Sequence, residues 1–256
     1  MKEKNANPGK DCFIRKTANN NGIEIEYYVF NQAGDKASLI LSMGLWEPAS
    51  RGFPLISRLT GYHCIVLSYR GRGQSSEPAS GFDWVDHSQD LACVLEQESF
   101  HNPVFLGFSK GVSYMLGYLL HHSVVPKGII IIDYPAVHTK AEEGYANYWS
   151  ALYYNGKKLT EYVSSHTLEG IERESTYQDF YNDLKHYTCP VCILRGMDRA
   201  AAIPSNLTDT DILNYQAASN LTEIIPFRYS GHMILEEELG KASRCILTFL
   251  ESIDSP

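Results

Sequence analysis

Pro103-Val-Phe-Leu-Gly-Phe-Ser-Lys-Gly-Val112 carries a short apolar run that ends in Gly107-Phe108-Ser109-Lys110-Gly111, and a helical pattern follows. Gly-x-Ser-x-Gly between a strand and a helix is the setting of a sharp turn that presents a nucleophilic serine. The residues flanking such a serine must be nearly free of side chain, or the helix collides with the strand. Ser109 is then expected in a strained backbone conformation with its hydroxyl exposed above the sheet. The helix N-terminus behind it supplies free N–H groups and a positive dipole end, where an oxyanion can form. The plain alternative is a glycine-bounded strand end with a serine capping a helix.

Outward from this turn, short apolar strands alternate with amphipathic helices. Upstream, Ile23–Phe30 alternates as a half-buried antiparallel strand does, and Ser38–Ser42 is a short apolar strand ending at Met43-Gly44. A helix is expected over Gly52–Leu59. A strand over His63–Ser68 precedes the loop Tyr69–Ser75, and a helix over Val85–Glu98 puts Leu91, Val94 and Leu95 on one face. Downstream, Lys127–Ile132 is a buried strand, and Pro190–Leu194 leads into Arg195-Gly-Met-Asp198. A polar loop over Ser205–Asp211 and a short helix near Leu213–Ser219 follow. The last strand, Glu223–Arg228, runs into Tyr229-Ser-Gly-His232, and a helix over Glu237–Ser252 closes the chain. This alternation implies βαβ units: an α/β fold with a mainly parallel central sheet and helices on both faces.

The alternation breaks over residues 134–187, which show helical patches, no strand, and tyrosines at 145, 148, 153, 154, 162, 177 and 181. The stretch is too long for a plain connection and reads as a small helical cap inserted in a core of residues 12–133 and 188–256. Its tyrosines suit a ligand-facing wall, or else they glue the cap to the sheet. Residues 1–11 read as a loose polar tail.

The 256 residues suffice for a substantial core without disulfides or metals. A net charge of −8 argues against nucleic acid or an anionic membrane as partner, because phosphate contacts need clustered Lys and Arg. No apolar run approaches a bilayer span, and Ile129–Ile132 stops at Asp133. The N-terminal residues lack a hydrophobic core for secretion, and six scattered cysteines in mostly apolar contexts read as free thiols of a reducing cytoplasm. Cys189-Pro-Val-Cys192 opens a strand rather than a helix, so ordinary packing is the better reading than a redox pair. No His or Cys ligands stand at zinc spacing, and Arg70-Gly-Arg-Gly-Gln lacks the ending of a phosphate loop.

A serine hydroxyl needs a base within hydrogen-bond reach and a third group that fixes the base's tautomer. Ser109, Asp198 and His232 each follow an apolar strand, so all three are expected at the carboxyl edge of the sheet. The order nucleophile, acid, histidine, over residues 23 to 252, resembles the α/β-hydrolase superfamily. The resembling segments are Ser42–Leu45, Tyr69–Ser75, Gly107–Gly111, Arg195–Asp198 and Ser230–His232.

Asp198 fits Gly-x-x-Asp best as the acid. Asp133 also ends a strand, as the acid of some relatives does, and is otherwise a helix-cap or cap-anchoring carboxylate. Asp209 and Asp211 are further rivals in the next loop. The resemblance implies an oxyanion hole from the backbone N–H groups of Lys110 and Leu45. Relatives carry His-Gly where this chain has Met43-Gly44, and an aspartate where it has Ser68. Lys110 beside the nucleophile favours an anionic substrate or the tetrahedral anion, or is a solvated or carboxylate-paired surface lysine. Trp46, Tyr134, Trp149 and Met233 are the candidate pocket residues, with core filling as the other use of Trp46 and Met233.

The resemblance implies a serine hydrolase acting on a small-molecule carboxylic ester or lactone, and the cap with its tyrosines is expected to select an uncharged, sizeable, partly apolar substrate. No cofactor is implied. The superfamily also holds non-hydrolytic lyases, and receptors or scaffolds with slow triads, which stand as the alternative.

Overall fold

A computed structural model describes residues 13–154 and 156–254; the tail expected over residues 1–11 lies outside the described residues. An eight-stranded sheet runs through the molecule: β1 (Phe13–Asn20), β2 (Ile23–Phe30), β3 (Ser38–Ser42), β4 (His63–Leu67), β5 (Val104–Phe108), β6 (Gly128–Ile132), β7 (Val191–Gly196) and β8 (Thr222–Phe227). Their spatial order is β1-β2-β4-β3-β5-β6-β7-β8. β1 pairs antiparallel with β2 and β2 with β4; every other neighbour is parallel. Every residue of β3, β4, β5 and β6 is buried, as continuous apolar strands covered on both faces must be.

Two apolar layers cover the sheet. One is built from α1 (Trp84–Leu95), α2 (Gly111–His121) and the buried Tyr215 and Ala218 of a helix over Asp209–Ala218. The other rests on Leu55 and Ile56, in a single helical turn Phe53–Ile56, and on Ala242, Ile246, Phe249 and Leu250 of the closing helix Leu239–Asp254. The turn at Phe53 is shorter than the helix expected over Gly52–Leu59, and a 3-10 turn over Ala49–Gly52 precedes it. β1 has no counterpart in the sequence reading. It is an edge strand with only Ala18 and Asn20 buried, so its polar residues carry no burial pattern.

Between β6 and β7 the chain leaves the sheet for residues 134–187. The insertion holds helices over Tyr145–Ala151, Ser165–Glu174 and Tyr181–Leu184. It also contains two ribbons of two-residue strands, Val137–His138 with Gln178–Asp179 and Tyr153–Tyr154 with Lys157–Lys158. The stretch expected to lack strands therefore has them, but two residues are too few to show alternation. Ala146, Leu159, Val163, Leu168 and Ile171 pack the insertion onto Leu45, Trp46 and Phe82. Its tyrosines divide: Tyr145 lines a cavity, Tyr154 and Tyr181 bond Arg51 and Asp211, and Tyr148, Tyr153 and Tyr177 face solvent. Among the described residues no helix is long and apolar enough to cross a membrane.

Candidate active site

Ser109 directly follows β5 with φ +54°, a left-handed conformation that side chains rarely adopt. The two glycines around it have no room for anything larger. A Cβ on Gly107 would lie 2.7 Å from Val112 Cα, and one on Gly111 would lie 2.3 Å from the carbonyl oxygens of Ser42 and Met43. β3 and the start of α2 are therefore in backbone contact, which brings the loop after β3 up against the serine.

The Ser109 hydroxyl lies 2.9 Å from His232 Nε2, in the loop after β8. His232 Nδ1 lies 2.9 Å from Asp133 Oδ2, and Asp133 is fully buried. A carboxylate can only accept, so Nδ1 carries the proton and Nε2 is free to accept from the serine. Asp133 ends β6 with φ +50°. Its Oδ1 accepts from the Gly196 N–H (2.8 Å) and the Ser205 hydroxyl (2.6 Å), and Oδ2 also accepts from the Asn206 N–H (2.9 Å). Four donors thus fix one buried carboxylate beneath the imidazole. Phe108 stacks on the His232 ring at 5.2 Å, and the Asn206 amide nitrogen lies 3.2 Å from Nδ1.

This arrangement corrects the expectation that Asp198 holds the histidine. Asp198 is half-exposed, and its Oδ1 accepts from the Ala200 N–H at 2.8 Å within its own turn. The His232 loop crosses directly over the end of β7, where a Cβ on Gly196 would lie 1.9 Å from the Gly231 carbonyl oxygen. No side chain fits at Gly196, and the carboxylate that reaches the imidazole follows the adjacent strand, β6. Asp209 pairs instead with Arg195, and Asp211 takes part in capping its helix through Thr208.

Leu45 and Lys110, the expected oxyanion donors, both line the cavity that opens on Ser109 and His232. The loop carrying Leu45 is braced from two sides that the sequence reading did not find. Glu47 Oε2 accepts from the Gly44 N–H at 2.9 Å, and Arg72 Nε donates to the Leu45 carbonyl at 2.7 Å. Both side chains are buried. Burial pushes the Glu47 carboxyl up to about 7, against the pull of Arg51 and the Gly44 N–H. Met43, where relatives carry histidine, packs in the core. At Ser68, where they carry aspartate, the hydroxyl donates to Glu26 on β2 at 3.0 Å, and Glu26 also takes the Gln74 N–H. Arg70 of the same loop forms a buried ion pair with Asp90 at 2.6 Å.

The cavity encloses about 290 Å³. Trp46, Tyr134 and Trp149 line it as expected, with Trp46 and Trp149 in contact at 4.7 Å between rings. Met233 does not. It faces a separate small cavity with Met43, Glu47 and Arg51, behind the loop. Tyr145, one of the cap tyrosines read as a possible ligand-facing wall, lines the main cavity, and Thr139 and Asn206, which carry no sequence signal, line it too. Lys110 is neither solvated nor paired with a carboxylate: it is 3% exposed, and its ammonium donates to the Thr139 carbonyl at 3.1 Å. Cys189 and Cys192 are buried free thiols. Among the described residues no group of three or more His, Cys, Asp or Glu side chains is arranged to hold a metal ion.

Solved structures share this architecture, among them the following three. An esterase from Exiguobacterium antarcticum superposes with a TM-score of 0.70 at 19% identity, covering 89% of this chain and 96% of that one. The N-acyl homoserine lactone-degrading enzyme Est816 gives 0.71 at 16% identity, over 91% and 100% of the two chains. An N-formylmaleamic acid deformylase from Pseudomonas putida S16 gives 0.71 at 18% identity, again over 91% and 100%. The chain has the α/β-hydrolase fold.

Relatives found by sequence match only part of the chain. A Synechocystis protein provisionally named a non-heme chloroperoxidase is 32% identical over 93 residues, 36% of this chain and 34% of that protein. The non-heme chloroperoxidase of Streptomyces lividans is 24% identical over 178 residues, 54% of this chain and 64% of that one. The chain thus spans about a third of the first relative and less than two thirds of the second. No family model matches it.

Proposed function

We propose that the protein is a serine hydrolase that cleaves a carboxylic ester or lactone through an acyl-enzyme on Ser109. The observation that carries this reading is the unbroken relay from Ser109 Oγ through His232 to Asp133, 2.9 Å at each step. His232 Nε2 takes the hydroxyl proton as Ser109 attacks the carbonyl carbon, and the Lys110 and Leu45 N–H groups hold the resulting oxyanion. The imidazolium passes that proton to the departing alkoxide as the tetrahedral intermediate collapses. A water molecule, deprotonated by the same nitrogen, then cleaves the acyl-enzyme. Asp133 keeps the Nδ1 tautomer and stabilises the imidazolium without itself taking a proton.

Residues 134–187 act as a cap in this reading, because Tyr134, Thr139, Tyr145 and Trp149 form one side of the cavity over Ser109. The named activities of the structural neighbours, on esters, a lactone and an N-formyl acid, accord with a carbonyl centre as the reacting group. Turnover of short- and long-chain 4-nitrophenyl esters and of a lactone panel tests the proposal. Hydrolysis abolished by Ser109→Ala supports it. Ligand binding with no turnover of any member would favour a receptor instead.

A further inference from the structure

The cation beside the nucleophile is placed unlike a surface lysine. Lys110 is 3% exposed, and its ammonium has three donors but makes one hydrogen bond, to the Thr139 carbonyl. Lys110 and Thr139 both line the cavity over Ser109, and no Asp or Glu is among the described residues that line it. The carboxylate whose charge bears on Lys110 is Asp83, and its oxygens are already taken by the Trp84 N–H and by the N–H and hydroxyl of Thr176. His138 stands at 3.4 Å from Asp83 and is held neutral, since burial pushes it down to about 2. A buried charge is costly unless it is paired, and this one has no carboxylate partner within ion-pair distance among the described residues. Burial moves the Lys110 ammonium down only to about 8, so it stays charged at neutral pH.

We propose that Lys110 recognises a carboxylate on the acyl portion of the substrate, so that the preferred substrates are half-esters of dicarboxylic acids or their lactone equivalents. The inference rests on the hydrolase reading. The Lys110 N–H is to hold the reacting carbonyl oxygen, and its own side chain reaches only a few atoms beyond. The anionic group therefore belongs on the acyl chain, separated from that carbonyl by a short spacer. This replaces the uncharged substrate expected from the tyrosine-rich cap: the tryptophans and tyrosines flank an apolar spacer, and the ammonium takes its far end. The net charge of −8 is no obstacle, because the local cation decides the potential inside the cavity.

Mono-4-nitrophenyl adipate and its methyl-capped neutral counterpart form a matched pair. The wild-type protein is expected to prefer the acid at least 10-fold in kcat/KM. Lys110→Met brings that ratio to 1 or below, and Lys110→Arg restores most of it. Equal use of both substrates by the wild type, or a ratio unchanged by Lys110→Met, overturns the inference. A binding measurement separates this from failure of the hydrolase reading. Calorimetry on Ser109→Ala should show monomethyl adipate binding at least 10-fold tighter than dimethyl adipate, whether or not any ester is turned over. Equal affinities there overturn the anion site even if esters are hydrolysed.

Discussion

Asp133 Oδ2 sits 2.9 Å from His232 Nδ1 while the Asp198 carboxylate is turned into its own loop. β6, which pairs with β5 in the sheet, thus leads into the carboxylate that meets the imidazole. Asp133→Asn is predicted to lower kcat by about 10³- to 10⁴-fold, because an amide there favours the wrong tautomer. Asp198→Asn should stay within about 3-fold of the wild type. Steady-state kinetics on one ester compares the two, and the reverse ranking would restore Asp198.

Much of this was legible in the sequence and some was not. The parallel sheet was readable because β3, β4, β5 and β6 are apolar runs buried on both faces, a pattern that survives without neighbours. The meeting of Ser109 and His232 was readable because Ser109 follows a strand between Gly107 and Gly111, and His232 follows the last strand directly after Gly231. The choice between Asp133 and Asp198 was not, since both end strands. It is decided by the contact of His232 with Asp133, residues 99 positions apart in the chain. Glu47 and Arg72 were hidden for the same reason: each serves the loop at Leu45 through a backbone atom, which leaves no motif.

The brace on that loop yields a second prediction. Glu47→Ala frees the Gly44 N–H and should lower kcat by about 10- to 100-fold with a smaller change in KM, since a displaced oxyanion donor is worth about 3 kcal/mol. Glu47→Gln retains an acceptor oxygen and should recover most of the loss. A KM effect alone, or no rescue by Gln, would count against a positioning role.

Glu47 also links stability to pH. Its carboxyl is raised to about 7 in the fold from 4.5 in the unfolded chain, so between these values the folded state binds more protons. The contribution is fully present below pH 4.5 and is lost as pH rises through 7. Relative to Glu47→Gln, the wild type should lose on the order of 3 kcal/mol across that window. Glu236, also raised to about 7, adds a slope of the same sign, and the buried His138, lowered to about 2, opposes it. Taking the difference between the two proteins in urea titrations removes the His138 slope and leaves Glu47 with its coupling to Glu236, which acts in the same direction. A flat difference would show that Glu47 is charged throughout.

Gly111→Ala tests the turn at the nucleophile. Its methyl group would sit 2.3 Å from the carbonyl oxygens of Ser42 and Met43, so β3 or α2 must move. A loss of more than about 3 kcal/mol of stability, or failure to fold, is predicted from urea denaturation. A variant as stable as the wild type would mean that the two backbones are not in contact.

Whether Ser109 is an activated nucleophile is tested most directly by intact-mass analysis after exposure to a fluorophosphonate. The account predicts one adduct per chain, mapped to Ser109, lost in Ser109→Ala and formed at least 10²-fold more slowly in Asp133→Asn. No adduct on the wild-type protein, or an adduct that persists in Ser109→Ala, would contradict it.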